Sequence, residues 1–281
     1  MVCIVSEAKT DSEGFGNAAT RKRLLTKERI PSSRVLVDRI TVQAGGSCPL
    51  NVPAGNLAWF QVLQGTLTLR HDGRSESLSD ISVVLLPPQF EGTVLTQSGA
   101  GLLYAEVPDA AALDPALAAE PPSLKIVDWS REPVLDSKHD ARRRIYVATP
   151  KLLGTKAIKA EIIVYPKGTM GSNHHHEGAE HFIYVMKGST TGYSNEEPHR
   201  YSAGDLVYHP DGERHYSSTG PDEELMFVEF FVPAEYKTVW QNEKKICTWV
   251  PTGKDSRGGE PSREIRGHDS LSAAVKVPED L

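Results

Sequence analysis

The chain has 281 residues, 39% of them hydrophobic and 24% charged, enough for one large or two modest globular domains with a substantial core. Its net charge of −6 offers no basic face for nucleic acid, and no apolar run is long enough for a membrane-spanning helix. The three cysteines, Cys3, Cys48 and Cys247, lie far apart and are odd in number, which argues against a disulfide framework and for a reducing compartment.

The opening, MVCIVSEAKTDSEG, has no basic n-region and only a short apolar run, so a cytoplasmic location is expected. From there the periodic segments are short, rich in Val, Ile, Phe and Tyr, and separated by Gly, Pro, Asn or Asp. SRVLVDRITVQ (33–43), LAWFQVLQGTLTLRHDG (57–73) and ISVVLLPP (81–88) read as strands. DAAALDPALAAE (109–120) reads as a helix connecting two β units. The cluster Arg142, Arg143, Arg144 reads as a solvated strand end. KAIKAEIIVYPKG (156–168) and ELMFVEFFVP (224–233) are further strands, and the Gly-, Pro- and charge-rich stretch from residue 251 onward is a tail, either mobile or draped over the body. Strands at regular spacing with turns between them predict an all-β sandwich or barrel.

An internal repeat organises these elements. Gly45, Gly65 and Pro87 recur as Gly168, Gly188 and Pro210, each pair 123 residues apart (45 to 168, 65 to 188, 87 to 210). Local text agrees: WFQVLQGTL matches FIYVMKGST, and VVLLPP matches LVYHPDG. The expectation is two tandem copies of one β domain, an N-terminal barrel over 20–108 and a C-terminal barrel over 126–240. A linker (109–125) separates them and a tail (241–281) follows.

The second copy contains GSNHHHEGAEHFIYVMKG (171–188). Side chains two apart on a strand share a face, so His174 and His176 point together and His175 points away. His181 opens the next strand on the same face as Ile183 and Val185, which directs Tyr184 outside. His215 follows a PDG turn on a later strand. Imidazoles converging in this way suit a first-row transition metal. His199, His209 and His268 have no partner spacing and read as structural or solvated. Among nearby groups, Glu229 sits on a strand of large apolar residues. If it faces inward it is a candidate acid/base or a partner for a ligand histidine. Arg214, beside His215, is a candidate for orienting a substrate carboxylate.

Read together, these residues resemble the cupins. Gly168, His174, His176, His181 and Gly188 fit the first cupin motif, G-x5-H-x-H-x4-E-x6-G, with histidine in the glutamate position. Gly204, Pro210, Gly212 and His215 fit the second, G-x5-P-x-G-x2-H-x3-N, with Thr219 in the asparagine position. A rival alignment makes Glu180 the ligand, but it flips the alternation of the following strand, which favours His181. The resemblance implies a bicupin, two double-stranded β-helix (jelly-roll) barrels in tandem. It implies a metal held by His174, His176, His181 and His215. The corresponding positions of the first copy are Asn51, Pro53, Ala58 and Gly92, so a metal is expected in the C-terminal barrel alone.

Four neutral imidazoles leave a divalent metal its full charge, which favours an anionic chelating substrate. By resemblance to histidine-ligated cupin dioxygenases, the expected activity is that of a mononuclear non-heme Fe(II) dioxygenase. Its substrate class would be a β-diketone, 2-oxo acid or phenolic acid. Iron is the expected cofactor; Mn, Ni, Zn and Cu suit the same ligands. The alternatives are an oxygen-independent hydrolase, isomerase or lyase similar to ureidoglycine aminohydrolase, and a non-catalytic metal-binding protein. The expected partners are a small-molecule substrate and dioxygen, with homodimerisation by analogy with the fold; neither nucleic acid nor membrane is expected.

Overall fold

Alternating β-branched and aromatic residues pair antiparallel along most of the chain, as the period-2 pattern requires. The computed structural model describes residues 1–242, 247–269 and 281. The strands divide into two compact units, Glu7–Trp129, and Met1–Ser6 with Ser130–Leu281. Each is a jelly-roll barrel, so the fold is all-β.

The repeat is preserved strand by strand. In the first unit the long strand Leu57–His71 pairs with strands Arg74–Ser79, Ser82–Leu86, Glu91–Leu95 and Ala100–Val107. In the second, Glu180–Ser194 pairs with Glu197–Ser202, Asp205–His209, His215–Ser218 and Leu225–Val232. Strand Leu36–Asn51 of the first unit corresponds to two strands of the second, Lys159–Tyr165 and His174–Glu177. Equivalent edges are covered in both barrels. Lys125–Asp128 pairs with Ser82–Leu86, and Cys3–Ser6 pairs with Asp205–His209. Each removes an exposed row of backbone donors and acceptors.

Gly65 and Gly188 show why glycine recurs at that landmark. Both have positive φ (78° and 81°) beside a register shift in the long strand. A Cβ on either would collide with a backbone carbonyl, that of Gly99 or of Glu224.

Inside the first barrel, Ile40, Leu50, Ala58, Phe60, Phe90 and Val94 form an apolar core. At the position equivalent to His215, a Cβ on Gly92 would meet the Phe90 ring. In the second barrel, Ile163, Ile183, Val185, Val207, Phe227 and Trp249 form the apolar part of the interior. The other part is polar.

Three expectations are corrected. The connector is not one helix but two 3-10 turns, Ala110–Ala112 and Pro115–Ala118. Pro115 has no N–H to continue a helix, and the Asp114 side chain instead caps the second turn through Ala116 N. The arginine cluster is not a solvated strand end. Alternation exposes Arg143, but Arg142 is buried with its guanidinium on Asp140, and Arg144 reaches the interior. Finally, part of the expected tail belongs to the sheet. Strand Thr248–Asp255 pairs with Pro133–Ser137, and Trp249 is fully buried because it completes the second unit's core. Residues 243–246 and 270–280 of that stretch lie outside the described residues.

Candidate metal centre

His174 and His176 point to the same side of their strand, and His215 pairs directly with His174 across the ladder. One ring nitrogen from each of these three lies within 4.8 Å of the other two, the geometry of a group able to hold a metal ion. Their remaining nitrogens are already held. His174 Nδ1 donates to the Ser172 carbonyl at 2.8 Å, and His215 Nδ1 to the Glu213 carbonyl at 2.9 Å. His176 Nδ1 lies 3.2 Å from Thr238 Oγ1. The two carbonyls fix the proton on Nδ1 of His174 and His215 and leave each Nε2 as a bare lone pair, the arrangement that orients a ligand histidine. Burial keeps these lone pairs available. It pushes the His174 pKa down to about 3, and those of His176 and His215 well below the ordinary imidazole value.

His181 stands beside this group with its ring stacked on Phe231, centroids 4.4 Å apart. Its Nε2 is 3.0 Å from Glu229 Oε2 and its Nδ1 is 3.1 Å from His215 Nε2. Nε2–H donates to the carboxylate, which leaves Nδ1 bare and facing the Nε2 lone pair of His215. Two such lone pairs at this distance repel unless a cation lies against both. Burial holds the His181 pKa well down, which disfavours a proton there. A metal resolves the conflict. Two adjacent ligands at bond lengths of about 2.1 Å stand roughly 3 Å apart. The donor set of His174, His176 and His215 therefore could hold a metal ion, and His181 stands beside that group rather than within it.

The other residues singled out in the sequence fall as follows. His175 turns away and meets Glu177 at 3.3 Å. Glu180 occupies the face opposite His181, where its carboxylate accepts from the Tyr208 hydroxyl at 2.9 Å. Tyr184 is buried on that opposite face as well, outside the interior cluster. Glu229 faces the interior and, besides His181, lies 3.7 Å from Arg144. Arg214 has no hydrogen bond or ion pair to the histidine group among the described residues, and its Nη1 is buried without a hydrogen-bond partner. Thr219, in the asparagine position, ties down the loop ahead of His174. It donates to the Pro166 carbonyl and accepts from Thr169 N, both at 2.9 Å.

Two features escaped the sequence reading. His209 is not structural in isolation; it packs in the same cluster, stacked on His215 with centroids 4.3 Å apart and backed by Glu213 at 3.2 Å. Its signal was alternation, since His209 shares a face with buried Val207 and pairs with His181 across the ladder. The second is a buried charged group below the histidines. Arg144 lies 3.1 Å from Glu161, Lys159 lies 3.7 Å from Glu161, and the Lys159 ammonium donates to the Tyr236 hydroxyl at 2.8 Å. The Tyr236 ring packs edge-on against His176, centroids 4.8 Å apart. His268 joins from another strand, 2.7 Å from the Tyr146 hydroxyl.

Two tandem jelly-roll barrels, one of them with convergent imidazoles, place a candidate metal site in the C-terminal barrel. Comparison with known proteins points to the same fold. Residues 161–231 match the family described as Cupin domain, so the C-terminal unit contains a cupin domain. An uncharacterized protein of Methanocaldococcus jannaschii is 30% identical over 79 residues, which are 28% of this chain and 66% of that protein, just under two thirds of its length. Among solved structures, the E. coli protein YlbA superposes with a TM-score of 0.64 at 13% identity, over 82% of this chain and 90% of that one. A point mutant of Bacillus subtilis oxalate decarboxylase OxdC superposes with a TM-score of 0.66 at 15% identity, over 85% of this chain and 79% of that one. At these identities the likeness concerns the fold.

Proposed function

We propose that the C-terminal barrel is the active site of a mononuclear metal-dependent enzyme. In this reading His174, His176, His181 and His215 hold Fe(II), and the reaction is dioxygenation of a small anionic chelating acid, ketone or phenol. The observation that carries this reading is the all-imidazole donor set, with Glu229 beside His181 rather than in its place. A divalent ion among neutral imidazoles keeps its charge, and when bound it supplies Lewis acidity and one-electron chemistry. Glu229 orients His181, the Ser172 and Glu213 carbonyls fix the tautomers of His174 and His215, and the Thr238 hydroxyl holds the His176 ring. The rings of Phe231, Tyr236 and Trp240 pack against His181, His176 and His174 and form an aromatic wall beside the imidazoles. In the overall reaction both atoms of dioxygen enter the product as a carbon–carbon bond of the substrate is cleaved. Anaerobic loading with Fe(II), followed by oxygen-uptake measurements on β-diketones, 2-oxo acids and phenolic acids, tests it. Uptake stoichiometric with one of these classes is expected, and no uptake on any of them contradicts the reading.

A second reading is oxygen-independent cleavage with Mn(II). It draws support from the fold shared with the Bacillus subtilis oxalate decarboxylase, whose centres are described as Mn(II). Turnover under argon with Mn(II) would favour it over the dioxygenase.

A further inference from the structure

The two barrels make an internal comparison that separates scaffold from site. Arg144 and Glu161 recur at the same 123-residue offset as Arg21 and Asp38, 3.8 Å apart in the N-terminal unit and 3.1 Å in the C-terminal one. The register is also shared, Arg21 opposite Ile40 and Arg144 opposite Ile163. The arginine–acid pair is therefore scaffold common to both copies. Lys159 is not. Its counterpart at the start of the equivalent strand is Leu36, so the barrel does not need a charge there.

A buried ammonium without a scaffold role requires another explanation. Lys159 is 7% exposed and has three N–H groups. One donates to the Tyr236 hydroxyl; Glu161, at 3.7 Å, is an ion-pair neighbour beyond hydrogen-bond length and is already engaged by Arg144. Lys159 therefore keeps donor capacity, and the Tyr236 hydroxyl, accepting from Lys159, keeps its own proton to donate. Both lie one aromatic ring from His176.

We propose that Lys159, with Tyr236, is a specificity-determining anchor for a second carboxylate, so that the ligand of this site is a chelating dicarboxylic acid such as a 2-oxo diacid. This rests on the metal-site reading above. The test is calorimetric titration, under argon, of the Fe(II)-loaded full chain with oxaloacetate, 2-oxoglutarate and 2-oxoadipate against 2-oxobutanoate, 2-oxopentanoate and 2-oxohexanoate. Hydrogen bonds between charged groups predict that the best diacid binds about tenfold to a hundredfold more tightly than its monoacid. Lys159→Leu, which installs the residue of the sister barrel, should abolish that ratio while leaving metal content and monoacid binding intact. Lys159→Arg should restore part of it, and Tyr236→Phe should reduce it without removing Lys159. Equal binding of diacids and monoacids by the wild type, or a ratio unchanged in Lys159→Leu, overturns the inference and leaves the metal reading standing. Failure of the wild type to take up metal overturns both.

Discussion

Replacing Glu229 by glutamine separates a four-histidine site from a three-histidine one. Glu229 Oε2 accepts from His181 Nε2 at 3.0 Å, and its other oxygen lies 3.7 Å from Arg144. The amide keeps an oxygen acceptor but removes the charge. Charge-assisted hydrogen bonds are roughly twice as strong as neutral ones, so the loss is about 1–1.5 kcal/mol. If His181 is a ligand, that loss weakens metal binding about tenfold, at the lower end of what outer partners of ligand histidines contribute. Arg144 retains Glu161 at 3.1 Å, so the barrel should remain folded. Thr238→Val is the internal comparison. It removes a neutral contact of 3.2 Å to His176 and should cost about threefold to fivefold. Metal affinity is read by competition with a chromophoric chelator, with thermal unfolding of the apo-proteins as the check on folding. An unchanged affinity in Glu229→Gln, alongside a measurable loss in Thr238→Val, would refute His181 as a ligand.

Other outcomes follow from the same geometry. His176→Ala should leave the protein folded and unable to retain metal through dialysis; retained metal would remove the site assignment. The apo-protein should lose stability on acidification. Burial depresses the imidazoles of His174, His176, His181, His209 and His215, so below about pH 6.5 the unfolded chain binds more protons than the folded one. Each imidazole contributes a slope of about 1.4 kcal/mol per pH unit in that window, down to about pH 3 for His174, opposed by the raised pKa of buried Glu161. Denaturant titrations with stability independent of pH between 4 and 7 would contradict this. Gly188→Ala should lower the melting temperature by about 4–8 °C, the effect of roughly 2 kcal/mol from positive φ and collision with the Glu224 carbonyl. A melting temperature equal to that of the wild type would mean the strand relaxes around the new methyl group.

The repeat was legible because its landmarks are backbone requirements. Gly65 and Gly188 face the same carbonyl collision in both copies, and turn residues survive when side chains diverge. The histidines were legible for a related reason: strand alternation assigns each side chain a face, and His174, His176, His181 and His215 fall on the interior one. What the sequence did not reveal is the company they keep. His209 enters the cluster through a cross-strand pairing, and Lys159, Glu161 and Arg144 meet only because adjacent strands bring their inward faces together. Alternation with Val207 marks the face of His209, but which strands pair, and so which side chains meet, carries no local mark. The arginine cluster misled because three consecutive charges suggest solvent, whereas Arg142, just ahead of the strand, is buried on Asp140 and Arg144, on the strand, turns inward. The connector misled because alanine and leucine favour a helix, yet one proline and a capping aspartate divide the segment into two turns.

The central claim is that imidazoles of the C-terminal barrel hold a single redox-active metal. It is tested most directly by metal analysis of the protein purified without air, together with its electron paramagnetic resonance spectrum before and after oxygen is admitted. The account predicts one transition-metal ion per chain, lost in His176→Ala, whose signal changes when a chelating acid and oxygen are added. A chain that takes up no metal, or one whose metal persists unchanged in His176→Ala, would contradict it.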